Sequence, residues 1–194
     1  MIRIVLYVIL FAFAAGCVEN HSPAATAVAD EAAYLNKGDS LVKITFDTLR
    51  NSLLRAMGEK GAAGALRFCN AEASSISSTY AAAGVAIGRV SDRNRNPRNA
   101  LSAEDGLQWE QYRQLLAKHD SLKSVVVYHD NAVHYYKPIF IQPMCLACHG
   151  AAGEELSNDL IPVIDSLYPG DKAKGYHTGD LRGMWHIVFS AAGE

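Results

Sequence analysis

Cys145-Leu146-Ala147-Cys148-His149-Gly150 is the stretch whose residue types and spacing do the most specific chemistry. Two thiols three positions apart reach the vinyl groups of neighbouring pyrroles and form thioethers, and the next residue places its imidazole under the iron. The pattern implies one covalent c-type haem, with Cys145 and Cys148 as anchors and His149 as axial ligand. A zinc site needs a second cysteine pair, and a thioredoxin-like redox motif has no use for His149.

Covalent haem fits an exported chain, and the N-terminus reads that way. Ile4 to Gly16 is an apolar run behind the single basic Arg3, too short to span a bilayer. Ala14-Ala15-Gly16-Cys17 resembles a bacterial lipobox, which implies cleavage before Cys17, acylation of its thiol and attachment to a membrane surface outside the cytoplasm, on the periplasmic side. The expected organisation is a signal peptide over 1–16, a lipidated tether over 17–29, small, polar and proline-containing, and a haem-binding domain over 30–194. Without residues 1–16 the chain keeps 17 basic and 20 acidic residues, a net charge of −3, so nothing points to nucleic acid as a partner.

Four cysteines are present. With Cys17 assigned to lipid and two to haem, Cys69 is left unpaired in an oxidising compartment. Ala62, Leu66, Cys69, Ala73, Ile76 and Tyr80 recur at helical intervals, so Cys69 faces inward. It is read either as a small buried hydrophobe or as the sixth ligand opposite His149, where a thiolate lowers the potential relative to a methionine ligand. Met57, Met144, Met184, His119, His129, His134, His177 and His186 compete for that position. In the polar loop of residues 91–101, Arg95 or Arg98 suits a haem propionate by two-pronged hydrogen bonding, against the alternative of a solvated loop.

The elements that must position these groups are readable in order. Leu35, Val42, Phe46, Leu49, Leu53 and Met57 mark a helix, with Gly38 as an interruption and Gly58 and Gly61 as its stop. The Cys69 helix follows to about Gly84, and the two are expected to pack as an antiparallel pair. Val85 to Val90 reads as a strand. Ser102 and Asp105 form a capping box for a helix reaching Lys118. Ser124–Tyr128 and Val133–Ile141 make a hairpin about His129-Asp130-Asn131, with Pro138 and Pro143 predicting an edge position or early end for its second strand. A helix marked by Leu156, Leu160, Ile164 and Leu167 ends at Pro169-Gly170, and Gly183–Ser190 alternates as a closing strand. The order gives an α+β fold with a small antiparallel sheet.

Several of these segments together resemble the single-haem c-type proteins with a PAS-like fold, a family catalogued as a domain of unknown function and also found as the sensory part of some histidine kinases. They are Ala65-Leu66-Arg67-Phe68-Cys69-Asn70, Gly88-Arg89-Val90-Ser91, Arg95-Asn96-Pro97-Arg98-Asn99, Lys137-Pro138-Ile139, the haem motif with Met144, Tyr168-Pro169-Gly170-Asp171, Gly175-Tyr176 and Gly179-Asp180-Leu181-Arg182-Gly183. The resemblance implies a PAS-like antiparallel sheet with flanking helices and a long N-terminal helical pair, and Cys69 as an axial ligand. Two functions follow as expectations: electron transfer or redox sensing, with a redox or sensory partner protein, or a haem-based ligand sensor signalling through a partner. A peroxidase-type enzyme ranks below both, because no histidine spacing singles out an acid–base group.

Overall fold

A computed structural model describes residues 23–79 and 84–190, with side chains described over 30–72 and 84–190. Residues 1–16, Cys17 and Tyr80 lie outside the described residues. The first helix, α1 (Pro23–Thr79), begins within the stretch read as a tether. The remaining elements are β1 (Val85–Val90), α2 (Ala103–Ala117), β2 (Val125–His129), β3 (Ala132–Phe140), α3 (Leu146–His149), α4 (Ile161–Leu167) and β4 (Leu181–Ser190).

The four strands form one antiparallel sheet in the order β1-β4-β3-β2, so the chain's last strand lies inside it. Alternation along β4 divides the core in two. Trp185, Ile187 and Phe189 pack with Val42 and Tyr135 against α1. Met184 packs with Trp109, Tyr112 and Tyr136 against α2. The capping box forms as read: Ser102 Oγ accepts from Asp105 N at 3.1 Å, and Asp105 Oδ2 accepts from Ser102 N at 3.0 Å. Asp130 and Asn131 take φ values of +48° and +56°, the left-handed pair that a two-residue hairpin loop requires.

Two expectations need correction. The helix does not stop at Gly58; it runs on to Gly61, where φ of 66° and ψ of −178° break it and helix resumes at once. A residue with a Cβ resists that conformation, so the kink belongs to Gly61. Both segments of α1 then line the same cavity. The strand carrying Pro138 is not at the sheet edge, since β3 lies between β4 and β2. Its pairing with β2 reaches only to Tyr136, however, so by Pro138 one side of β3 is open and the missing N–H costs no ladder bond there.

Helix α1 docks through Gly38 and Asp39. Asp39 Oδ1 accepts from Tyr135 Oη at 2.6 Å, from Lys137 Nζ at 2.6 Å and from Ser124 Oγ at 3.2 Å. One turn position earlier, a Cβ on Gly38 would lie 2.3 Å from the ring of the fully buried Tyr135. The helix therefore tolerates a poor helix former here because the ring occupies the space. Gly38→Ala is expected to destabilise the fold by about 1–3 kcal/mol through overpacking, despite the gain of up to ~1 kcal/mol in helix propensity. A thermal midpoint equal to or above the parent's would contradict this packing.

Candidate haem-binding site

The haem motif sits against a cavity of about 290 Å³ lined by α1, by strands of the sheet and by the loop that carries Arg95. Pro143–Cys145 is a single 3-10 turn that runs directly into the one-turn helix α3, so Cys145, Cys148 and His149 project from one tight coil. Gly150 ends it for a steric reason. A Cβ there would lie 2.8 Å from the Leu146 carbonyl and 2.9 Å from Glu155.

A second segment, Asp171–Tyr176, is tied along this coil. Gly175 N donates to Gly150 O at 2.8 Å, and Tyr176 N donates to His149 O at 2.9 Å. His149 Nδ1–H donates to the Ala173 carbonyl at 2.7 Å. Because a carbonyl only accepts, this bond fixes the tautomer and leaves the Nε2 lone pair free, the arrangement a ligating histidine needs. Burial, and then the positive charges of Arg95 and Arg182, hold His149 well below the usual histidine range, so the imidazole is neutral. The Tyr176 ring meets it edge-on, with centroids 6.3 Å apart.

Arg95 clamps the two segments together. Its Nε and Nη2 each donate to the Asp171 carboxylate at 3.2 Å, and Nη2 also donates to Cys148 O at 2.6 Å and Ala173 O at 3.2 Å. Asp171 itself accepts from Ala173 N at 2.9 Å. Arg95 thus lines the cavity, but its guanidinium is directed at protein acceptors. Arg98, the other arginine singled out for a propionate, is exposed on the 3-10 turn Pro97–Asn99 and is not part of the cavity wall, because the turn points that side chain to solvent.

Cys69 reaches the same cavity from α1. Leu66 is buried one turn earlier against Leu156 and Ile164, and Asn70 Nδ2 donates to the Leu167 carbonyl at 3.3 Å, which fixes this part of α1 on α4. Burial pushes the Cys69 thiol up, with nearby Arg89 opposing. Of the competing ligands, Met57 and Met144 also line the cavity, whereas the six others do not. Met184 is core on the α2 side. His186, the second choice in sequence, faces the opposite side of β4, where its Nδ1 lies 2.9 Å from Asp105 Oδ1 and its Nε2 3.0 Å from His134 Nδ1.

The remaining wall is apolar, with Phe46, Leu49, Leu53, Phe68, Ile139 and Trp185 among it, and also carries Arg50, Arg89 and Arg182. Sequence reading passed over these three arginines. Arg89 and Arg182 lie in segments that carry the family resemblance, and no local pattern marks either as a cavity residue. The donor set and surroundings suit an iron porphyrin: two thiols, a neutral imidazole with a free Nε2, a further sulfur ligand from another element, and apolar walls with cations for anionic groups. Asp171→Ala should leave the nearly buried Arg95 charge unpaired and lower stability by about 3–5 kcal/mol in urea denaturation. A loss below ~1 kcal/mol would mean that the clamp does not hold the motif.

A family model described as Tll0287-like matches residues 17–190. Among solved structures, the crystal structure of the cyanobacterial heme-protein Tll0287 matches with a TM-score of 0.62 and 28% identity, covering 84% of this chain and 98% of that one. No curated protein matches the chain. The α+β, PAS-like architecture is the one that the resemblance implied.

Proposed function

The chain belongs to the Tll0287-like family, and from that premise we propose that it is an exported c-type haem protein, tethered to a membrane through Cys17, that acts in one-electron transfer or redox sensing. In this reading Cys145 and Cys148 would carry the thioether bonds of one haem, His149 would hold the iron through Nε2, and Cys69 would supply the second protein ligand. The relative named for haem supports haem in this chain through the shared fold.

The observation that carries the reading is the placement of His149 and Cys69 on one cavity, with the His149 Nδ1–H held by the Ala173 carbonyl at 2.7 Å. When bound, haem iron supplies a one-electron couple. The protein's part is to keep both ligands in place through a change of charge. Ala173 prevents the imidazole from rotating, Arg95 and Asp171 hold the coil behind it, and the apolar walls exclude water. Two strong ligands favour electron transfer or redox sensing over ligand binding or peroxide chemistry, which need an open iron position. A partner protein must then receive the electron or the signal. Ile4–Gly16 and the lipobox-like Ala14-Ala15-Gly16-Cys17 support export and tethering.

Protein produced with a cytochrome c maturation system should be coloured and should keep its haem through denaturation and acid extraction. Extraction of all the haem would exclude covalent attachment. Cys69→Ser should change the visible absorption spectrum and raise the midpoint potential, since a thiolate donates more electron density than the ligand that replaces it. An unchanged spectrum removes Cys69 from the iron and leaves Met57 as the cavity-lining alternative from α1.

A further inference from the structure

The described cavity wall holds four guanidinium groups, from Arg50, Arg89, Arg95 and Arg182, and no carboxylate. Two of the four are satisfied by the protein. Arg95 is held by Asp171, Cys148 O and Ala173 O. Arg182 Nη1 donates to Ser91 Oγ at 3.0 Å and to Arg93 O at 3.2 Å, and its guanidinium lies 5.4 Å from the centre of the Tyr176 ring. Arg50 is exposed.

Arg89 differs from all three. It is half-buried on β1, its guanidinium lies 5.6 Å from the centre of the Trp185 ring, and no hydrogen bond or ion pair to it is found among the described residues. Its guanidinium thus lines the cavity beside the Trp185 ring, with five N–H donors and no acceptor among the described residues. Burial works against its charge, and Arg182 adds to that effect, while the Cys69 thiol opposes it. A cation kept in such a place without a counter-ion calls for an anion that arrives with the ligand.

We propose that Arg89 receives a carboxylate of the bound group, a haem propionate, through two parallel N–H···O hydrogen bonds. The inference rests on the haem reading above and goes beyond it by assigning the anion-binding cation to a strand residue, in place of the loop arginines. Haem would bring two carboxylates to a wall whose described charged groups are all cationic, and Arg89 is the half-buried one of these with no acceptor among the described residues. The competing partner is a Cys69 thiolate, which lies within electrostatic range of the same guanidinium.

A double-mutant cycle separates these partners. Midpoint potentials and resonance Raman spectra are measured on the haem-loaded parent, Arg89→Gln, Arg89→Lys, Cys69→Ser and Arg89→Gln combined with Cys69→Ser. With a propionate partner, Arg89→Gln lowers the potential, because the carboxylate charge is no longer offset, and Arg89→Lys restores most of the shift. The propionate bending band moves in both Arg89 variants, and the Arg89→Gln shift is equally large with Cys69→Ser. A band that does not move, or a shift that vanishes in the Cys69→Ser background, overturns the proposal. If Arg89→Gln does not fold, the Raman band of Arg89→Lys decides alone, unmoved against it and moved for it. A parent without covalent haem overturns this inference and the haem reading together, whereas a haem-loaded parent insensitive to Arg89 overturns this inference only.

Discussion

The bond between His149 Nδ1–H and the Ala173 carbonyl is the constraint from which the site's other features follow. It sets the tautomer, the ring plane and the atom offered to the cavity in one contact of 2.7 Å. A single hydrogen bond of this kind contributes only about 1 kcal/mol net, so its acceptor must be held by something else. Ala173 is fully buried, its N–H is taken by Asp171, and its carbonyl also receives Arg95. Gly175 and Tyr176 tie the following residues to the carbonyls of Gly150 and His149. The imidazole is thereby oriented by backbone, and the backbone by a buried ion pair. A neutral acceptor also matters chemically: a carboxylate in that position would push electron density toward Nε2, whereas a carbonyl does so weakly.

Strand β4 decides which side chains take part. From Gly183 onward its period of two sends Gly183 and Trp185 to the cavity and Met184 and His186 to the α2 face, while Arg182, at the register shift, also lines the cavity. One residue of slip would exchange them and put His186 at the cavity. Instead His186 is bonded to Asp105 and His134, and Tyr136 stacks on its ring at 4.4 Å. Asp105 is at once the capping residue of α2 and the partner of His186. The carboxylate is held below its usual range: burial raises it, but the His186 and Ser102 contacts outweigh that effect. The α2 cap and the β4 register thus reinforce one another, and the histidine's place in this network explains why it is absent from the cavity.

What was legible in the sequence was what neighbouring residues encode. The Ser102–Asp105 box, the Asp130-Asn131 turn and the β4 alternation each state a local geometry, and each forms. Gly58 and Pro138 misled because their usual meaning depends on context outside the window: helix continues through one, and β2 ends before it reaches the other. Arg95 and Arg98 look equivalent in a loop three residues apart, yet Asp171 and the Cys148 and Ala173 carbonyls claim one of them alone. Those acceptors lie 53 to 78 positions away in sequence. Arg50, Arg89 and Arg182 converge from three elements, and only the folded chain makes them neighbours.

The charge pattern of the cavity bears on how such a site would be tuned. Without iron, burial keeps the Cys69 thiol protonated, and Arg89 only reduces that effect. Ligation by Cys69 requires loss of that proton, so a thiolate and two carboxylates would enter a wall of cations together. A thiolate ligand alone pulls the potential down. Nearby guanidinium groups pull it up, since each favours the state that carries one more electron. The described cavity wall contains no carboxylate to cancel them, and Asp171, which neutralises Arg95, stands behind the coil. With haem bound in that way, ligand type and wall charge would act in opposite directions on the same couple. Because Arg89 lies within electrostatic range of the Cys69 thiol, the anion it paired with in a haem-loaded chain would determine how much of its charge remained to act on the iron.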